Sequence, residues 1–127
     1  MDNVTDIRSF INRWCAAFVA SDVDSLVSMY SSDTVFLGTS SQQIINSLDE
    51  IREYFVKATR ERTPKSADLL DLQVRVYESM AVATALDRIE WSDSQLPQVS
   101  LGRVSFVFLK TAHDWKIVSF HRSRLPQ

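Results

Sequence analysis

The sequence predicts an α+β domain with helices packed on one face of a curved antiparallel sheet, and three observations carry that prediction. Helical periodicity is confined to the first half of the 127-residue chain. After Pro64 four long segments of strand character follow one another, at 66–77, 80–91, 98–110 and 114–124. Their separators, "ES", "SDSQLP" and "TAHD", are too short for crossover helices and therefore impose a meander.

Each element has its own local signal. In "TDIRSFINRWCAAFVAS", Ile7, Ile11, Trp14 and Phe18 recur at helical spacing, with Phe10 and Ala17 widening the stripe and Thr5 or Asp2 available as cap. Asp22 caps a second, short helix through Leu26, Val27 and Tyr30. "TVFLG" reads as a short strand ended by Gly38. "SLDEIREYFVKATRER" is a third helix: Ser47 and Glu50 have capping-box spacing, and Leu48, Ile51, Phe55 and Ala58 form its stripe. A long sheet under a small helical layer favours a pocket between the two.

Composition narrows the function classes. A hydrophobic content of 45% and a charged content of 24% are those of a globular chain, expected here as a single domain over residues 1–127. A net charge of −2 gives no electrostatic case for nucleic acid or an anionic membrane. The acidic, amphipathic start "MDNVTDIRSF" is unlike an export signal, and the single cysteine, Cys15, fits a reducing cytoplasm. No metal-ligand spacing and no Gly-rich phosphate loop is present, so no cofactor is expected.

Strand parity singles out three arginines. Arg88 shares a face with Val82, Thr84, Leu86 and Glu90; Arg103 with Val99, Leu101, Ser105, Val107 and Leu109; Arg122 with Val118 and Phe120. A two-residue turn pairing Thr111 with Asp114 puts Arg103 opposite Arg122. Pairing Ser94 with Pro97 or Asp93 with Gln98 puts Arg88 opposite Arg103, and a bulge would shift either register. These registers align the three guanidinium groups in one row, which repels itself and needs a counter-charge. Glu90, or a carboxylate from the helices, would supply it internally. A small carboxylate or phosphate-like ligand would supply it from outside, with the bidentate geometry that arginine favours.

Other candidates are weaker. Cys15 reads as a small buried hydrophobe, His113 as a turn residue, and His121 as pointing away from the arginine row. Glu90 is the one acid that parity places among the arginines, and Tyr30 and Tyr54 are hydroxyls available to a pocket. Arg124 reads as solvated. The other sheet face, with Ala81, Ala83, Ala85, Val104, Phe106, Phe108 and Ile117, is apolar. If the helices cover the arginine face, this second face needs a second copy of the chain, which predicts a homodimer through the back of the sheet.

"RVSFVFLKTAHDWKIVSFHRSRLP", "ALDRIEW" and "IREYF" carry a resemblance to a known family. They resemble the nuclear-transport-factor-2-like (NTF2-like, SnoaL-like) superfamily, and within it the association (hub) domain of calcium/calmodulin-dependent kinase II and its free-standing bacterial relatives. The resemblance implies a cone-shaped, strongly curved sheet with the helices over its concave face (a cystatin-like fold), a deep pocket, and a dimer that in hub domains assembles into larger rings. It also implies that Arg88, Arg103 and Arg122 line the pocket and hold carboxylates. A kinase-scaffold role and calcium binding are not implied, since neither a kinase segment nor a calcium loop is present. Catalytic members rely on pocket acids, for which Glu90 is the match here. The expected function is a non-catalytic dimeric pocket binding a small anionic molecule through Arg88, Arg103 and Arg122, with Glu90 and Tyr54 at the site. The alternatives are a small cofactor-free isomerase, cyclase or dehydratase, and a pure oligomerisation module.

Overall fold

The computed structural model describes residues 3–92, 97–112 and 114–126. Helix α1 (Asn3–Val19) buries Ile7, Phe10, Ile11, Trp14, Ala17 and Phe18, the stripe its periodicity predicts. Asp2, the expected hairpin turn at 93–96, and His113 lie outside the described residues. Helix α2 (Val23–Ser28) starts at Asp22, whose carboxylate accepts from the Ser25 hydroxyl and backbone N–H and is thereby held below the usual carboxylate range. The helix stops before Tyr30. That residue instead opens strand β1 (Tyr30–Leu37), because the Ile117 N–H donates to Met29 O and draws the chain into the sheet. Helix α3 (Leu48–Glu61) is capped as expected: Ser47 Oγ accepts from the Glu50 N–H and donates to the Glu50 carboxylate. Among the described residues no helix is long and apolar enough to cross a membrane.

Strands β2 (Thr63–Tyr77), β3 (Met80–Ser92), β4 (Pro97–Thr111) and β5 (Asp114–Arg124) form the expected antiparallel meander. Strand order is β1-β5-β4-β3-β2, and β1 joins β5 in parallel, with the intervening chain serving as the crossover that parallel pairing requires. The fold is thus the predicted α+β class, with helices on one side of a curved five-stranded sheet.

The two sheet faces are the reverse of the expectation. The helices cover the alanine and phenylalanine face: Ala81, Ala83, Ala85, Val104, Phe106, Phe108 and Ile117 are all buried. Three small alanines leave room for aromatic rings from α1, and Phe10 packs edge-on to Phe108 at 5.1 Å and Trp14 to Phe106 at 5.6 Å. Arg88 and Arg103 lie on the outer face, where water solvates a guanidinium that the core could not accept unpaired.

The arginine row does not form. The β4–β5 hairpin starts as predicted, with Thr111 opposite Asp114, but β5 carries a bulge between Ile117 and Ser119. The extra residue, Val118, moves the register by one, so Arg103 faces Ser123 and Arg122 faces Val104. In the β3–β4 hairpin Ser92 pairs with Pro97, which sets Arg88 opposite Leu101 and Arg103 opposite Leu86.

Phe106→Ala is expected to lower unfolding stability in a urea titration by about 3–5 kcal/mol. Arg103→Ala, on the solvated face, should change it by less than about 0.5 kcal/mol.

Candidate functional site

The bulge that removes Arg122 from the predicted row delivers it to the space beneath the helices. Past Val118, β5 presents Phe120, Arg122 and Arg124 on the inner face, next to Phe106, Val104 and Gly102 of β4. Arg122 is only 7% exposed, and its partner, Asp87 of β3, 5%. The pair is bidentate: Nε donates to Oδ2 at 2.8 Å and Nη2 to Oδ1 at 2.6 Å. Nη1 donates to Thr39 Oγ1 at 2.8 Å, and Nη2 also approaches the carbonyl and hydroxyl of Ser100 at 3.4 and 3.3 Å. Of the five guanidinium hydrogens, one on Nη1 is left to offer elsewhere.

Arg122 reaches Asp87 by crossing β4. Gly102 stands opposite Asp87 on one side and opposite Arg124 on the other, and a Cβ added there would overlap the Arg122 guanidinium. Gly38 does the same service for Tyr54, whose ring fills the place its Cβ would take. Neither glycine has a positive φ, so close approach rather than backbone freedom is what requires them. The chain has two glycines, and each seats a side chain of this site.

Arg122 and Tyr54 line a cavity of about 150 Å³ between the helices and the sheet. Its wall is aromatic and apolar, from Trp14, Phe18, Phe55, Ile89, Trp91 and Phe120. Trp14 stacks on Phe18 at 5.5 Å and on Phe120 at 5.6 Å, which holds these rings in place. Thr39, Ser40 and Ser100 line it beside the buried Arg122, with Thr39 and Ser40 exposed and Ser100 half-buried. Glu61, Arg62 and Arg124 also line it, with the Arg62 guanidinium 5.6 Å from the Trp91 ring centroid.

The remaining predicted site residues are elsewhere. Arg88, Arg103 and Glu90 are on the outer face, across the sheet from the cavity, because the side chains of β3 and β4 alternate and their inward positions go to alanines, Asp87, Ile89 and Phe106. Glu90 neutralises Arg88 in part, at 3.8 Å and half in solvent, and so is not a cavity acid. Tyr30 is fully buried. Burial pushes its hydroxyl far above the usual tyrosine range, and its oxygen accepts from Trp14 Nε1 at 3.1 Å, a structural role. Burial, with the charges of Asp87 and Asp68 behind it, pushes the Cys15 thiol up to about 11, so it stays protonated and unreactive near neutrality. His121 points outward as expected and is exposed.

Sequence reasoning missed Asp87, Thr39, Ser100, Arg62, Trp91 and Arg124. A signal for Asp87 existed: Ala81, Ala83, Ala85, Asp87 and Ile89 share one parity, and an acid closing such an apolar series demands a cation. Arg124 carried no such signal, since only the bulge turns it inward.

The model of the SnoaL-like domain matches residues 7–127. No curated protein sequence matches the chain. Among solved structures, a candidate calcium/calmodulin-dependent protein kinase II association domain from Xanthomonas campestris superposes with a TM-score of 0.88 at 22% identity, covering 96% of this chain and 87% of that one. A candidate dehydratase of the NTF2-like family from Streptomyces avermitilis gives 0.85 at 15% identity, covering 98% and 97%. An NTF2-like protein with a cystatin-like fold from Novosphingobium aromaticivorans gives 0.79 at 16% identity, covering 94% and 79%.

Asp87→Ala, which strands a buried guanidinium, is expected to cost about 3–5 kcal/mol of unfolding stability. Gly102→Ala should cost about 1–3 kcal/mol through overlap with Arg122, both measured by chemical denaturation.

Proposed function

The chain belongs to the SnoaL-like domain family, and on that scaffold we propose a dimeric pocket protein that binds a small, carboxylate-bearing molecule without converting it. The observation that carries this reading is the cavity itself: aromatic walls, hydrogen-bonding groups from Arg122, Thr39, Ser40 and Ser100, and two further arginines, Arg62 and Arg124. Its volume of about 150 Å³ sets the scale of the ligand. A cavity of that size accepts a single benzene ring, so the buried part of the ligand is one ring or its aliphatic equivalent.

Chemistry favours holding over turnover. Among the described lining residues Glu61 is the single carboxylate, and it is exposed. Asp87 lies behind Arg122 and is engaged by it through both oxygens. A proton-transfer mechanism would therefore fall to Tyr54 and the exposed Glu61 among the described lining residues.

The surface proposed for the dimer moves with the sheet faces: the alanine and phenylalanine face expected to pair is covered by the helices, which leaves the outer face bearing Arg88 and Arg103. Leu70, Leu86, Val99 and Leu101 are 39–49% exposed and lie together on the outer face. They surround Arg88 and Arg103, so the surface is an apolar patch with a charged component, suited to a second copy of the same chain.

Calorimetric titration with benzoate is expected to show binding that Arg124→Gln weakens about tenfold, the loss of one hydrogen bond to a charged group. Absence of any benzoate binding at millimolar concentration would count against the reading. Sedimentation velocity should give a dimer for the wild type and a monomer for Leu86→Lys/Leu101→Lys, with unchanged circular dichroism.

A further inference from the structure

Three arginines line the cavity, and their surroundings make them unequal partners for the anion that the reading above assigns to it. Arg122 is already neutralised by both oxygens of Asp87. An anion set against it would be desolvated beside an ion pair of zero net charge and would lie close to the Asp87 carboxylate. Arg124 is exposed, so water competes for its charge. Arg62 differs from both. It is half-buried, and among the described residues no carboxylate, its neighbour Glu61 included, lies within 4.0 Å of it.

The backbone accounts for where Arg62 stands. It is the C-terminal cap of α3 and is already extended, with φ −142° and ψ 148°, so its side chain follows the alternation of β2. Thr63 is exposed and Pro64 buried, which puts Arg62 on the face of Pro64. Pro64 pairs with Trp91 of β3, and the Arg62 guanidinium lies over the Trp91 ring, 5.6 Å from its centroid. Trp91 is set edge-on to Phe18 at 5.4 Å, and Phe18 stacks on Trp14, so the ring is backed by the core. An aromatic face attracts a cation without cancelling its charge. A guanidinium braced in this way loses less side-chain freedom when it takes up an anion.

We propose that Arg62 is the guanidinium that takes the ligand's carboxylate, and that Trp91 is the residue that positions it. The contrast with Arg122 is physical: Asp87 holds that guanidinium by neutralising it, whereas Trp91 holds Arg62 and leaves its charge available. Arg124 adds a second, more hydrated cation. This assignment rests on the anion-pocket reading and names the group within the pocket that carries it.

Benzoate and benzamide differ in charge and little in shape, so the ratio of their affinities separates the guanidinium's part from that of the cavity wall. By calorimetry the wild type should prefer benzoate. Arg62→Gln should lower benzoate affinity about tenfold to a hundredfold, more than Arg124→Gln does, and leave benzamide within about twofold. Trp91→Leu removes wall and brace together and should weaken both ligands, benzoate about threefold more than benzamide. Trp91→Phe, which keeps an aromatic ring, should retain most of the preference. An unchanged ratio in Trp91→Leu, or a lost preference in Trp91→Phe, overturns the positioning role; if Trp91→Leu does not fold, Trp91→Phe decides it. Benzoate binding that Arg62→Gln leaves intact overturns the assignment of Arg62 and leaves the anion pocket standing. If benzoate does not bind the wild type, the anion-pocket reading falls, and this inference with it.

Discussion

A guanidinium and a carboxylate buried beside an aromatic core are costly to desolvate, and the inner face of this protein is arranged around meeting that cost. Arg122 and Asp87 come from β5 and β3, which are not neighbours in the sheet, so the arginine must cross β4 to reach its partner. It can cross only at Gly102. Thr39 and Ser100 then take further guanidinium hydrogens, leaving the pair nearly saturated. Removing either charge would strand the other in a medium that cannot solvate it. The pair thereby ties three strands and the segment after β1 into one fixed arrangement.

The aromatic core depends on the same geometry. Phe120 lies two residues before Arg122 on the inner face of β5 and touches Trp14, Phe36 and Phe106. These rings meet at 5.0–5.6 Å in stacked or edge-on contacts, so a cavity remains where they stop short of the arginine. The cavity is the boundary between an apolar cluster and a polar pair, which explains why it has both an aromatic wall and hydrogen-bonding groups. Tyr54, seated against Gly38, closes it from α3.

This arrangement changes what an arginine in a pocket signifies. A lone buried guanidinium would attract an anion, but one already paired through two hydrogen bonds acts as an oriented dipole with hydrogens to spare. Arg124 and Arg62 also line the cavity, and neither has a carboxylate within 4.0 Å among the described residues. Glu90 and Arg88 compensate each other on the far side of the sheet and contribute nothing to the cavity field at close range.

Local sequence determined where the three helices lie, the caps of α2 and α3, the meander and the Thr111–Asp114 pairing, because each rests on periodicity, capping or loop length within a few residues. It also marked Arg122 and Tyr54, and it showed that an arginine on a strand needs a counter-charge. Which face of the sheet the helices cover was not legible, since both faces of β3 and β4 carry apolar residues. That choice fell to packing: alanines at 81, 83 and 85 admit the α1 rings, whereas Arg88 and Arg103 would lose their water. The bulge at Val118 was equally hidden, because one extra residue leaves no mark in an alternating run, yet it turns Arg122 and Arg124 inward together. Only the tertiary structure could then bring Asp87 to Arg122, across a strand whose glycine leaves space for the side chain to pass.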